Sequence, residues 1–459
     1  MSETENRNSQ HRSNLRETFE IAWPSVTESV LIVLAGMVDT YMVSTLGKPS
    51  VAGVGVTNQP KYFAYTMFYA LNTAIASMVA RRLGEKRRKD ANGMFLTALL
   101  FVFAVSLALS FLCVIFAEPI LLLFGANPET LPMAVPYWNI VMGFSVFNLV
   151  SMYINAAQRG SGNTRIAMTT NLASNAVNVV MNYLLINGHL GFPALGINGA
   201  AIATVLGTVV AFVMSVRSLF KSNSFVQAQY IRAEKIRPGK GYIRELVPMS
   251  GTLLSENLMT RLGFAITGAL TARIGTDPYS AHIVGMTFMN LGFAFGDGLQ
   301  SAMVALVGKS VGEQNPEKAK SYVWSGQRFG LAISVIVAAL MLVLDKQIFG
   351  LYFPDDPVML EYGQLISRFI AVIMPIQVAK IVFNGMLRGA GDVRFTLIGS
   401  TLGVTVIQSI LMYFLIIRMQ TGLTGVWISI LVSQAVQLAL FSWRYFSGGW
   451  INAAKMKHA

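Results

Sequence analysis

Apolar residues in this chain come in long runs, such as Leu96 to Phe116 and Gly330 to Leu344, separated by short breaks rich in Gly, Asn, Lys and Arg. About 20 apolar residues in a helix cross a ~30 Å hydrocarbon core. Read this way, the pattern predicts spans at 19–46, 51–80, 91–116, 131–157, 165–187, 196–219, 243–272, 279–308, 320–344, 358–387, 393–417 and 422–446. The expected fold class is therefore an all-α membrane protein of twelve transmembrane helices. No apolar stretch resembling a cleaved leader precedes the first span.

The pattern repeats. After the fourth span the chain reads Gln158-Arg-Gly-Ser-Gly-Asn-Thr-Arg165, and after the tenth Leu387-Arg-Gly-Ala-Gly-Asp-Val-Arg394. By nearly the same offset Gly84-Glu85 returns as Gly312-Glu313, and Pro24 as Pro248. Each half thus holds six helices, and because six is even the second half enters the membrane in the same orientation as the first. Such parallel repeats characterise transporters, two bundles enclosing a central cleft. The expected organisation is a tail at 1–18, a bundle at 19–220, a basic linker at 221–242, a second bundle at 243–446 and a tail at 447–459.

Composition agrees: 54% of residues are hydrophobic, only 12% are charged, and the mean hydropathy is +0.54. The net charge of +13 raises the question of a nucleic-acid partner. Its distribution argues against one. Of the 35 Lys and Arg, 26 fall on one side of the predicted spans and four (Lys48, Arg273, Lys346, Arg418) on the other. That asymmetry is the positive-inside rule. It predicts a multi-pass membrane protein with both termini and the basic loops in the cytoplasm. The lone Cys113 lies in an apolar run and offers no disulfide framework.

Charged groups inside a bilayer are costly and usually face a cavity. Asp39 lies about 27 Å above the cytoplasmic end of the first helix, at ~1.5 Å per residue. Glu28, eleven residues earlier, projects from nearly the same face. The fifth span carries Asn171, Asn175, Asn178 and Asn182 on one face. Asn182 reaches about 25 Å from the cytoplasmic side, and Thr204 of the sixth span sits at a similar depth. Asp39, Asn178, Asn182 and Thr204 at one level would form an all-oxygen site for a hard cation such as Na+. Equally, Asp39 alone could carry a proton. The second half offers Glu256 and Asp297, which with Lys61 and Arg368 near mid-depth are candidates for the substrate cleft, Glu256 as a carboxylate contacting cationic cargo or carrying a second proton; mutual ion pairing is the plain alternative for them, and Arg261 and Lys380 lie close enough to helix ends to snorkel. No nucleotide loop, metal-spaced His cluster or catalytic constellation is present, so the chain reads as a transporter driven by an ion gradient and as no enzyme.

At these residues the chain resembles the multidrug and toxic compound extrusion (MATE) family, in its bacterial NorM/DinF-like branch. The resemblance rests on Pro24 with Val38-Asp39-Thr40, Asn178 and Asn182, the paired Arg-Gly-x-Gly motifs, and Leu306-Val-Gly-x-x-x-Gly312. It implies a V-shaped two-bundle fold and antiport of small amphipathic, often cationic, compounds against H+ or Na+ by rocking of the bundles. It places Asp39, Asn178, Asn182 and Thr204 on the coupling-ion positions and Glu256 on an acidic position of the seventh helix. In the tenth helix the family's acidic position is Gln377 here. The expected partners are substrates and lipids, with no cofactor beyond the coupling ion, and the chain is expected to act as a monomer. The alternative within the same superfamily is a lipid-linked oligosaccharide flippase, whose pyrophosphate Lys61 and Arg368 would suit.

The charge asymmetry predicts that cysteines placed at Ser224 and Pro193, in a background lacking Cys113, react with an impermeant maleimide from opposite sides of the membrane. Labelling from the same side would overturn the span assignment.

Overall fold

In the computed structural model, which describes residues 3–222, 224–353 and 356–455, twelve long helices follow one another. They are α1 (Glu3–Ser44), α2 (Lys48–Gly84), α3 (Arg88–Ile115), α4 (Leu131–Gly143 and Ser145–Gly160, bent by 48°), α5 (Thr164–Ile186) and α6 (Gly196–Ser218). The second six are α7 (Lys240–Ala272), α8 (Thr276–Gly312), α9 (Pro316–Val343), α10 (Pro357–Gly389), α11 (Val393–Arg418) and α12 (Gly422–Phe446). Each predicted span lies on one of them. Among the described residues nine are long and apolar enough to cross a membrane outright, and bent α4 makes ten. The two that fall short, α5 and α7, carry the asparagine stripe and Glu256 with Arg261. Their polarity is concentrated where the sequence pointed to chemistry.

The chain forms two compact units. One is Thr27–Ser250, and the other joins the chain up to Val26 with the chain from Gly251 onward. The units therefore divide inside α1 and α7, whereas the sequence reading put the division in the 221–242 linker. Pro24 and Pro248 each sit two residues before the change of unit. Proline removes a helical hydrogen bond and weakens the rod at that point. The start of each of these helices is tied by an ion pair. Glu17 of α1 accepts from Lys309 of α8 at 3.0 Å and from the Tyr322 hydroxyl, and Glu245 of α7 accepts from Arg82 of α2 at 2.8 Å. Glu17 and Glu245 are related by the offset that carries Gly84 onto Gly312, so the second tie repeats the first.

The Arg-Gly-x-Gly motif can be read residue by residue. Arg159 closes an ion pair with Glu28 at 2.7 Å, and Arg388 closes one with Glu256 at 3.0 Å. Gly160 and Gly389 let their helices approach a neighbouring backbone: an added Cβ would overlap the Ala76 carbonyl in the first case and come within 2.9 Å of the Val304 carbonyl in the second. Gly162 and Gly391 hold φ of +85° and +82°, the left-handed region that glycine enters freely. Asn171 adds a 2.6 Å hydrogen bond to Glu28, and Ser400, at the corresponding place in the second half, adds one of 2.9 Å to Glu256. The motif is thus the keystone of each half.

Two sequence expectations change. Glu256, a candidate cleft carboxylate, is 2% exposed and closed in an ion pair with Arg388, and Lys380 donates to the Gln437 side-chain carbonyl at 3.0 Å. Ser224 is buried beneath Arg88, which donates to its carbonyl at 2.9 Å, so the neighbouring exposed Ser222 is the better labelling position on that loop.

Removing one member of a buried ion pair leaves a charge without compensation, at about 3–5 kcal/mol. Arg388→Met should therefore lower stability by that order, measured as tryptophan-monitored unfolding in detergent. The double variant with Glu256→Gln should regain part of the loss. A double variant as unstable as the sum of the singles would show that the pair does not act as a unit.

Candidate functional site

The asparagine stripe of α5 runs between two carboxylates of α1. Eleven residues separate Glu28 from Asp39, and eleven separate Asn171 from Asn182, so both helices present their groups at the same three-turn interval. Asn171 Nδ2 donates to Glu28, and at the other end Asn182 Nδ2 donates to Asp39 Oδ1 at 2.5 Å. Asn182 also reaches Asn178 Oδ1 at 3.4 Å, and Asn178 Nδ2 donates to Thr204 Oγ1 of α6 at 3.3 Å. Thr204 in turn donates to the Ala200 carbonyl at 3.0 Å. The four residues expected at one level form one hydrogen-bonded chain across α1, α5 and α6.

Close packing makes this possible. At Gly199 an added Cβ would overlap the Leu185 carbonyl, and at Gly207 it would lie 2.7 Å from the Ser174 carbonyl and 3.3 Å from Asn178 Cβ. Small residues at such an interface bring membrane helices near enough for short side chains to meet. Beneath it, Val43, Tyr137, Ile186, Ile197, Ala200 and Ala201 form a buried cluster joining α1, α4, α5 and α6. That cluster fixes the segment of α1 bearing Asp39.

The Asn182 side chain is fully buried and its Oδ1 has no hydrogen-bond partner. A buried acceptor left over beside a carboxylate is an opening for a cation. With one carboxylate, two amide carbonyls and a hydroxyl, the donors are all oxygen and carry a single negative charge, which suits a monovalent ion or a proton. Turning the Asn182 amide over would aim its carbonyl where the Asp39 carboxylate points. Among the described residues no three His, Cys, Asp or Glu gather as a metal cluster.

The second half departs from this plan at one place. Eleven residues after Glu256 the helix carries Thr267, whose hydroxyl accepts from Gln408 Nε2 at 2.8 Å. The partners on α11, Ser400 and Gln408, are only eight residues apart, and Thr401–Gln408 between them is π-helical. The remaining expected residues separate. Glu28 is 5% exposed and engaged with Arg159 and Asn171. Glu256 accepts from Arg388, Asn384, Thr396 and Ser400. Gln377 is buried with both amide atoms unpartnered, and Asp297 and Arg368 are exposed on their helices.

Lys61 has a setting of its own. It lines a cavity of about 360 Å³ inside the Thr27–Ser250 unit, together with Asn58, Tyr65, Tyr69, Asn148 and Thr204. Thr204 belongs both to this cavity and to the Asp39 chain. Sequence reasoning singled out Lys61 but missed the tyrosines and Asn148. Tyr62, Tyr65 and Tyr69, at helical spacing just after Lys61, were the available signal.

Comparison with known proteins bears on both units. The MatE family profile matches residues 24–184 and 253–414. A Bacillus subtilis protein named uncharacterized transporter YisQ is 26% identical over 95% of this chain and 94% of its own length. A probable multidrug resistance protein NorM from Thermotoga maritima is 23% identical over 96% and 94%. A solved multidrug resistance MATE family transporter in an outward-facing conformation superposes with a TM-score of 0.87 at 20% identity, covering 96% of this chain and 97% of the other.

The packing argument predicts opposite outcomes for two glycines. Gly207→Ala should destabilise by about 1–3 kcal/mol through overpacking. Gly36→Ala, where an added Cβ meets nothing within 4 Å, should be neutral or stabilising, since Ala is the better helix former. Thermal unfolding of the two variants checks this, and equal effects would remove the close approach of α5 and α6 as the reason for the site's geometry.

Proposed function

The chain belongs to the MatE family of membrane transporters, and from that premise we propose that it exports small amphipathic compounds by antiport against H+ or Na+, with Asp39 as the coupling carboxylate. The observation that carries this reading is the Asp39–Asn182–Asn178–Thr204 chain, which holds an unpartnered buried acceptor at Asn182 and reaches, through Thr204, a cavity of ligand size. Pockets of ~300–1,000 Å³ are typical of small-molecule sites. The relatives named as multidrug resistance proteins support the substrate class.

The proposed mechanism is energetic. An ionised Asp within a membrane costs at least about 2.5–3.5 kcal/mol on insertion scales unless an ion, a proton or a partner compensates. Glu28 has Arg159 for that purpose. Asp39 has an amide donor and no ion-pair partner within 4 Å among the described residues. A bound cation or proton would neutralise it, and its departure would leave the α1–α5–α6 contact with a different preferred packing. An ion drives a conformational change only through such differential affinity. Alternating exposure of the cavity to the two sides follows from coupling this change to cargo release. The proposed setting is the bacterial inner membrane with both termini cytoplasmic, in line with the 26-to-4 charge count.

Asp39→Asn keeps the size and a hydrogen-bonding amide but removes the charge. In proteoliposomes it should bind cargo yet lose gradient-driven efflux by at least about tenfold, a factor equivalent to ~1.4 kcal/mol of coupling. Running the wild type under an imposed Na+ gradient and, separately, a pH gradient identifies the ion. Efflux at wild-type rates by the Asp39→Asn protein would end this assignment.

A further inference from the structure

The cavity beside the Asp39 chain has the wrong charge for a seat dedicated to cationic cargo. Its lining contains one charged side chain, Lys61, and no Asp or Glu; the rest is amide, hydroxyl, aromatic and aliphatic. Among the described residues Lys61 makes no hydrogen bond and no ion pair within 4 Å; its electrostatic partner is Asp39, beyond that distance. A lysine ammonium has three donors and a compact charge, and in a membrane it is costly without a partner. The carboxylates Glu28, Glu256 and Glu17 have each been given one, in Arg159, Arg388 and Lys309.

The surrounding groups describe what would complete it. Tyr62, Tyr65 and Tyr69 supply flat apolar faces ending in hydroxyls, and Asn58 and Asn148 supply both donors and acceptors. A ligand that fits carries a planar ring system for the tyrosines and an anionic group for Lys61. The offset that carries Gly84 onto Gly312 carries Lys61 onto Met289, which is buried in an apolar cluster of the second half. The charge is therefore a feature of the first half and no requirement of the fold.

We propose that Lys61 is a specificity-determining residue that pairs with a carboxylate on the cargo, so that the cavity favours planar zwitterionic or anionic amphiphiles over purely cationic ones. This rests on the reading of the chain as an exporter of small molecules.

The test uses the full-length protein in detergent and two dyes that differ only at the carboxyl group, rhodamine B and rhodamine B ethyl ester, with binding read by fluorescence anisotropy. The wild type should bind the free acid about tenfold or more tightly than the ester. Lys61→Met, close in volume, should lose that preference through weaker binding of the acid, while Lys61→Arg keeps it. Equal affinity of the wild type for both dyes, binding of neither, or a preference that survives in Lys61→Met would overturn the proposal. Gradient-driven movement of the same dyes by wild-type proteoliposomes is measured alongside. Absence of any driven movement with the preference intact would sink the export reading and leave the Lys61 assignment standing.

Discussion

A carboxylate within an apolar medium has to be neutralised, and most of what distinguishes this structure is a consequence of how that is done. Glu28 and Glu256, one in each half, are answered by Arg159 and Arg388 from the motif that follows the fourth and tenth helices. The ion pair sets the position of that motif. The first glycine of the motif then lets the chain lie against a neighbouring backbone, and the second reverses its direction at positive φ. Replacing a buried pair with well-packed apolar groups often costs nothing. What the pair supplies is registry: each arginine has one carboxylate to find, and it fixes the first and fourth helices of a half together with the fifth.

Against that background Asp39 is the exception. It shares a helix face with Glu28, and the same asparagine stripe serves both, yet it receives an amide where Glu28 receives a guanidinium. The second half shows that the scaffold does not need a charge at this level, since Thr267 and Gln408 close the equivalent contact with a neutral hydrogen bond. The partner helix there is π-helical over Thr401–Gln408, and π-helical turns cluster at functional sites. Two halves built alike in their keystones thus differ where an ion would act.

The sequence made the helices, the repeat and the four-residue chain legible because each depends on spacing along single helices. Span length gave twelve helices, and periodicity put Asp39, Asn178, Asn182 and Thr204 at one depth. Partnerships between helices were not legible. Glu256 reads as a free acid in mid-membrane, and only the folded chain brings it from the seventh helix to Arg388 at the end of the tenth. The arginine was visible as part of a repeated motif, but nothing in its spacing names a partner. The unit boundary was hidden for a related reason. The linker looks like a divide because it is polar, whereas the helices change unit just beyond Pro24 and Pro248, inside apolar runs. The cavity tyrosines were missed because aromatic residues at helical spacing usually fill a core.

Lys61 and Asp39 bear on one another more than either reading alone suggests. A lysine near Asp39 would, if it closed onto it, repeat the Glu28–Arg159 ion pair. The structure keeps the two groups apart: Asp39 is held by Asn182, and Lys61 turns to a cavity lined by tyrosines and amides. Each group is left without an ion pair within 4 Å among the described residues. Thr204, hydrogen-bonded to Asn178 and part of the cavity wall, is common to both settings.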